Sequence, residues 1–329
     1  MRIAILGAGA WGSALASALA PRHPTVLWAR DPAQAERIDR ARRNERYLPD
    51  LDLAPQLTVL ARLDEALAHA GGGLLLLAVP IASLRPLLHE IATLRYAGSC
   101  AWLCKGLERE TGQLAHQIAA AELPGVPGGP LSGPSFAEEV ARGLPTALVV
   151  AGPAPLCATV TAAVHGGALR VYSSDDVVGV EIGGAVKNVM AIATGIADAM
   201  QLGLNARAAL VTRGLSETRR FGEALGAHAE TFTGLTGLGD LMLTCTGDLS
   251  RNRRIGLALG RGVPLAQAIA ELGHVAEGVW SAPAILARAR AAGIEMPITE
   301  TVCAVLDGQL SVQAAVGQLL ARDPRAERA

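Results

Sequence analysis

Hydrophobic positions in the first half of the chain come in short unbroken runs. Residues 2–6 (RIAIL), 25–29 (TVLWA), 57–60, 74–79 (LLLLAV), 101–104, 146–151 and 169–172 each read as a strand, and most end at glycine, proline or a charged residue. An unbroken run suits a strand covered on both faces. The run at 74–79, between Gly71-Gly72-Gly73 and Pro80, reads as a central parallel one. Near residues 173–176 the β pattern stops, and apolar positions then recur at helical spacing, broken by glycines, to the end. The expectation is an α/β domain over residues 1–180 followed by an all-α domain over residues 181–329.

The first run leads into Gly7-Ala8-Gly9-Ala10-Trp11-Gly12 and then a helical SALASALA. A G-x-G-x-x-G between strand and helix is a dinucleotide-binding arrangement. Gly7 makes the tight turn, Gly9 lets a pyrophosphate approach the backbone, and Gly12 lets the helix pack on the sheet. The helix start then offers unpaired N–H groups to the phosphates. The first domain is thus expected to be Rossmann-like and to take NADPH or NADH. Its second strand ends in Arg30-Asp31, where an acid would hold a ribose 2′-hydroxyl. Arg30 comes first and can stack on adenine or hold a 2′-phosphate, which favours NADPH. Asp31 also suits a helix cap, with Pro32 at the first helical position.

Among 29 basic residues only two, Lys105 and Lys187, are lysine. Arginine stays charged, whereas a buried lysine can lose its proton. Lys187 lies in VEIGGAVKNVMAIATGIADAMQLG (180–203), where apolar neighbours should desolvate the ammonium and lower its pKa. Such a group can give a proton to a substrate oxygen and take it back. On a helix Gly184, Lys187, Asn188 and Ala191 share one face, whose small residues admit a ligand or another helix. The same lysine could instead snorkel to the surface or join a structural ion pair. Lys105 begins KGLE at the carboxyl end of a strand, the ligand side of an open sheet.

Residues 130–139 (PLSGPSFAEE) read as a turn opening a helix, with Ser135 and Glu138 as a capping box. Residues 233–240 (TGLTGLGD) are glycine-dense and carry one acid, Asp240. In 248–256 (DLSRNRRIG), Ser250, Arg251 and Asn252 at a helix start make a phosphate cradle of hydroxyl, guanidinium, amide and backbone N–H. The plainer alternative is an N-cap by Asp248 or Ser250 with exposed arginines. Glu277, in 275–283 (VAEGVWSAP), is a candidate ribose or nicotinamide contact. The basic segment 40–50 reads as a solvated loop, and 322–329 as a frayed tail.

Composition narrows the classes. The chain is 329 residues long, half hydrophobic and 18% charged, so two folded cores are expected and disorder is not. A net charge of -1 argues against a nucleic-acid or anionic-membrane partner. Met1-Arg2, an apolar run and Ala16-Ser17-Ala18 resemble a signal peptide, but one charge and interspersed glycines argue against it. Five cysteines without a CxxC pair indicate reduced thiols and no metal site. The reading is a soluble, unprocessed, cytoplasmic protein, with apolar helices that allow a homodimer.

GAGAWG, CKGLE, LSGPSFAEE, VEIGGAVKNV, TGLTGLGDL, SRNRRIG and EGVWSA occur in the order and spacing of bacterial-type NAD(P)-dependent glycerol-3-phosphate dehydrogenases, which the chain resembles over nearly its whole length. The resemblance implies dihydroxyacetone phosphate and sn-glycerol 3-phosphate as the substrate pair, serving phospholipid synthesis. It implies Lys187 as the proton donor and acceptor. Lys105, Gly133, Ser135, Asp240, Ser250, Arg251 and Asn252 would line the substrate. Ala10, Trp11, Arg30, Lys105, Ala137, Arg251, Val275 and Glu277 would touch the cofactor. A related reductase for another 2-keto substrate would not need the Ser-Arg-Asn cradle. A non-catalytic NADPH sensor would not need Lys187 or Asp240.

Overall fold

The computed structural model describes residues 1–321 apart from 274 and 275, so Val275 and the tail at 322–329 lie outside the described residues. The first part alternates strands and helices: β1 (Ile3–Leu6), α1 (Ala10–Leu19), β2 (Thr25–Trp28), α2 (Pro32–Ala41), β3 (Thr58–Leu60), α3 (Leu63–Ala70), β4 (Leu74–Leu77), α4 (Leu84–Thr93) and β5 (Ser99–Trp102). It continues with α5 (Ala115–Glu122), β6 (Gly128–Ser132), α6 (Ala137–Ala141), β7 (Thr146–Ala151), α7 (Ala154–Val164) and β8 (Leu169–Ser174). The rest is helical: α8 (Val177–Ala199), α9 (Gly203–Ala224), α10 (Asp240–Thr246), α11 (Arg251–Gly260), α12 (Leu265–Leu272), α13 (Glu277–Ala291), α14 (Pro297–Leu306) and α15 (Val312–Leu320).

The eight strands form one sheet in the order β3-β2-β1-β4-β5-β6-β7-β8, parallel except between β6 and β7. Each apolar run serves two cores at once. Ile3, Ile5, Leu74 and Leu76 point into one cluster, Ala4, Leu6, Leu75 and Leu77 into the other. Helices cover both faces, so alternate residues are all buried and no polar position interrupts the run.

The strand order reverses between β1 and β4, and the glycine loop sits over that reversal. Gly7 has φ +117°, and a Cβ there would fall 2.4 Å from the Ala78 carbonyl oxygen. A Cβ on Gly12 would fall 1.9 Å from the Gly7 oxygen. Helix α1 can start this close to the sheet only without those methyls. Gly9, by contrast, faces open space.

Several boundaries differ from the sequence reading. β5 ends at Trp102 rather than 104, because burial continues past the hydrogen-bonded ladder: Leu103 still donates to the Leu77 oxygen, and Cys104 is buried off the sheet. β6 was read as part of a turn. Its glycines instead permit close strand packing, since a Cβ on Gly129 would lie 1.9 Å from the Ala151 oxygen. The expected capping box is absent: α6 starts at Ala137 behind Phe136 with no side-chain cap, and Ser135 Oγ donates to the Gly133 oxygen at 3.0 Å. Residues 40–50 are not simply a solvated face. Arg42 donates to the Ala54 and Leu57 oxygens, and buried Asn44 donates to the Ala8 oxygen at 3.0 Å and Ser13 Oγ at 2.7 Å. That loop props the glycine turn.

Gly12→Ala should therefore lower stability by about 1–3 kcal/mol through overpacking. Urea unfolding checks this, and an unchanged midpoint would refute the tight approach of α1.

Candidate active site

Helix α8 is 23 residues long and buried along most of its length, with Asp176 capping its start by accepting from Gly179 N at 2.8 Å. By length and hydropathy it could cross a membrane, yet 89% of its apolar window is buried inside the fold. Lys187 sits at its middle and is 7% exposed, so snorkelling is excluded. Its ammonium donates to Asp240 Oδ1 at 2.5 Å and to Thr244 Oγ1 at 2.9 Å. Lys105 Nζ reaches the other oxygen of the same carboxylate, Asp240 Oδ2, at 2.7 Å. Asp240 is fully buried.

The turn before Asp240 explains how a carboxylate reaches both lysines. Residues Leu235–Gly239 form a π-helical turn, with Gly239 N bonded back to the Gly234 oxygen, and α10 follows at once. The widened turn re-aims the first side chain of α10, a geometry common at functional sites. Thr244 stands one helical turn beyond Asp240 and donates to the Asp240 backbone oxygen at 2.6 Å. Its lone pair is thereby turned toward Lys187.

Burial lowers the Lys187 pKa and the Lys105 charge adds to this, while Asp240 raises it; the net effect is downward. Glu277, at the start of α13, is raised by burial and drawn back by Arg251, Lys105 and Lys187, so these four groups share one neighbourhood.

Helix α11 crosses α8 closely because Gly195 and Gly256 meet there. A Cβ on Gly256 would lie 2.1 Å from the Ile192 oxygen. This brings the start of α11 beside Lys187. Ser250 caps α11 by accepting from Arg253 N at 3.2 Å, as the plainer reading expected; Asp248 does not cap but pairs with Arg253 at 2.9 Å. Arg251 is exposed. Arg253 is buried against Asp198 at 2.8 Å, so the arginines are not uniformly solvated. Asn252 is also buried. It donates to Asn188 Oδ1 and accepts from Gly278 N, both at 2.9 Å, tying α8, α11 and α13 together.

The remaining expected residues divide by location. Gly7, Gly9, Ala10, Trp11 and Gly12 lie at the turn into α1, whose start has no side-chain cap. Arg30 is exposed just past β2, and Asp31 caps α2 by accepting from Ala33 N at 3.0 Å. Gly133, Ser135 and Ala137 follow β6, with Pro134 reaching Gly239 and Phe136 reaching Gly247. Ser132 Oγ, buried beside the Lys105 stem near Gly184, has no hydrogen-bond partner. The sequence reading missed Thr244, Ser132 and Asn44. Only Thr244 carried a signal, its spacing of four from Asp240.

Residues 2–157 and 176–317 match the N-terminal and C-terminal family models of NAD-dependent glycerol-3-phosphate dehydrogenase. A glycerol-3-phosphate dehydrogenase [NAD(P)+] from Methylibium petroleiphilum is 57% identical, covering 99% of this chain and 98% of its own. One from Variovorax paradoxus is 58% identical, covering 98% of each. The crystal structure of glycerol-3-phosphate dehydrogenase from Coxiella burnetii superposes with a TM-score of 0.93 at 42% identity, covering 97% of this chain and 98% of that one.

Since Asp240 neutralises two ammonium groups, Asp240→Ala should cost about 3–5 kcal/mol. Lys187→Ala, which leaves Asp240 paired with Lys105, should cost less. Urea unfolding of both variants checks the ranking; equal costs would refute the shared-carboxylate geometry.

Proposed function

Because the chain belongs to the NAD-dependent glycerol-3-phosphate dehydrogenase family, we propose that the Lys187–Asp240–Lys105 cluster is its catalytic centre. The protein is an NAD(P)-dependent oxidoreductase interconverting dihydroxyacetone phosphate and sn-glycerol 3-phosphate. Bound nicotinamide supplies the hydride to C2 in reduction and accepts it in oxidation.

Lys187 gives its proton to the C2 oxygen as negative charge develops there and recovers it in the reverse direction. Its burial, which makes the proton easier to lose, and its ties to Asp240 and Thr244, which hold the ammonium in one orientation, support this role. Lys105 and Asp240 hold the reacting end of the substrate. Gly133, Ser135, Ser250, Arg251 and Asn252 hold the rest, with Arg251 gripping the phosphate at the start of α11. Binding energy from that remote group orients the carbonyl. Ser250 keeps its hydroxyl proton for donation while its oxygen caps the helix.

The glycine loop fits the cofactor: an uncapped helix start and open space at Gly9 leave room for a pyrophosphate. Gly7, Gly9, Ala10, Trp11 and Gly12 would hold the phosphates and Arg30 the adenosine end, favouring NADPH. Lys105, Ala137, Arg251 and Glu277 would line the nicotinamide end. In this reading the first domain, residues 1–180, carries the cofactor and the second, residues 181–329, the proton donor. The product feeds phospholipid synthesis.

A cytoplasmic location is supported by five free, buried cysteines. A homodimer is supported by exposed Leu202 and Leu320, both on an apolar 680 Å³ cavity between α8, α9, α14 and α15. Light scattering at a monomer mass would rule it out.

The observation that carries the reading is one buried carboxylate shared by the chain's two lysines. Lys187→Ala should cut kcat by roughly 10²–10⁴; a near-wild-type rate would end its role. The depressed Lys187 pKa also sets a sign. Reduction needs the ammonium, so its rate falls as pH rises through that pKa, whereas oxidation rises through the same limb. Arg251→Ala should chiefly raise KM for dihydroxyacetone phosphate. Initial rates with NADPH and NADH test the whole scheme: Arg30→Ala should shift the kcat/KM ratio toward NADH, and an unmoved ratio would remove Arg30 from cofactor choice.

A further inference from the structure

The two lysines lie on different elements, and their separation is not set by Asp240 alone. Lys105 lies three residues past the end of β5, at Trp102. Lys187 lies six residues, or about 9 Å of helix rise, beyond Glu181 on α8. Glu181 is buried, and its carboxylate joins these elements. Oε1 accepts from Trp102 Nε1 at 2.8 Å and from the His116 backbone N at 2.9 Å. Oε2 meets His116 Nδ1 at 2.6 Å, which must carry the proton against a carboxylate. His116 lies in the first turn of α5, so the carboxylate also faces that helix's positive end.

We propose that Glu181 is a positioning residue for the reaction: by clamping the end of β5 and the start of α5 onto α8, it sets the spacing of Lys105 and Lys187 across Asp240. The proposal rests on Lys187 being the proton donor. Glu181 touches neither lysine and acts only through the elements that carry them. Between it and Lys187, Gly184 faces the Lys105 stem, since a Cβ there would lie 3.4 Å from Lys105 Cγ and Cδ. Repulsion between two ammonium groups falls with distance, so a loosened β5 end relieves Lys187 of the Lys105 charge. The other charged or titratable groups around Lys187 are Asp240 and Cys245 from α10, Arg251 and Arg253 from α11, and Glu277 from α13. None of these is altered in the variants below.

The test is the pH profile of dihydroxyacetone phosphate reduction by the full-length enzyme. Glu181→Ala should lower kcat by roughly tenfold, as loss of a supporting shell does. It should leave KM for dihydroxyacetone phosphate unchanged and move the alkaline limb to higher pH. Glu181→Gln retains an acceptor for Trp102 and the His116 N–H and should restore the wild-type limb. Trp102→Phe removes the indole N–H together with part of the ring, and leaves the Glu181 carboxylate in place. It should move the limb as Glu181→Ala does, and it decides the matter if Glu181→Ala does not fold. Unmoved limbs in folded Glu181→Ala and Trp102→Phe would overturn the proposal, as would Gln shifting the limb as far as Ala. Persistence of the limb in Lys187→Ala would overturn instead the assignment of Lys187, and this proposal with it.

Discussion

One buried carboxylate holds two ammonium groups, and the site depends on that imbalance. Asp240 is fully buried, with Lys187 on one oxygen and Lys105 on the other. Burial, joined by the second positive charge on the same acid, lowers the Lys187 pKa against the pull of Asp240. Stability is given up for this, because buried charges are costly to desolvate and apolar replacements are often no worse.

The fold brings the participants from distant parts of the chain. The sheet presents the glycine turn and Lys105 at its carboxyl edge, where strand order reverses and ligands bind open sheets. The helical half supplies Lys187 from α8, Asp240 from a π-turn into α10, and the start of α11 from a glycine-to-glycine helix crossing. Asn252 then ties α8, α11 and α13 through two hydrogen bonds. The phosphate end and the proton-transfer end of the proposed site are thus held by one bonded framework.

Much of this was legible in the residues. Apolar runs marked all the strands but one, unbroken in β1 and β4 where both sheet faces are covered, and broken in edge strand β8 where Arg170 and Tyr172 are exposed. The exception, β6, carries glycines for close approach to β7, and glycines read as a turn. The end of β5 was misplaced because burial and hydrogen-bond pairing stop at different residues. Ser135 looked like a helix cap by spacing, but a cap depends on where the backbone leaves the strand, and here its hydroxyl turns back to Gly133.

The sequence by itself determined the glycine turn and the two-part architecture, since each depends on local spacing, and it singled out Lys187 by rarity. Only the tertiary structure decided the direction in which the Lys187 pKa moves, because desolvation, Asp240 and Lys105 act on it through space, the two charged groups from 53 and 82 residues away. It also decided that Ser250 and Asn252 spend hydrogen bonds on the framework, leaving Arg251 exposed at the helix start. Partners across helices are set by packing, which no single stretch of chain contains.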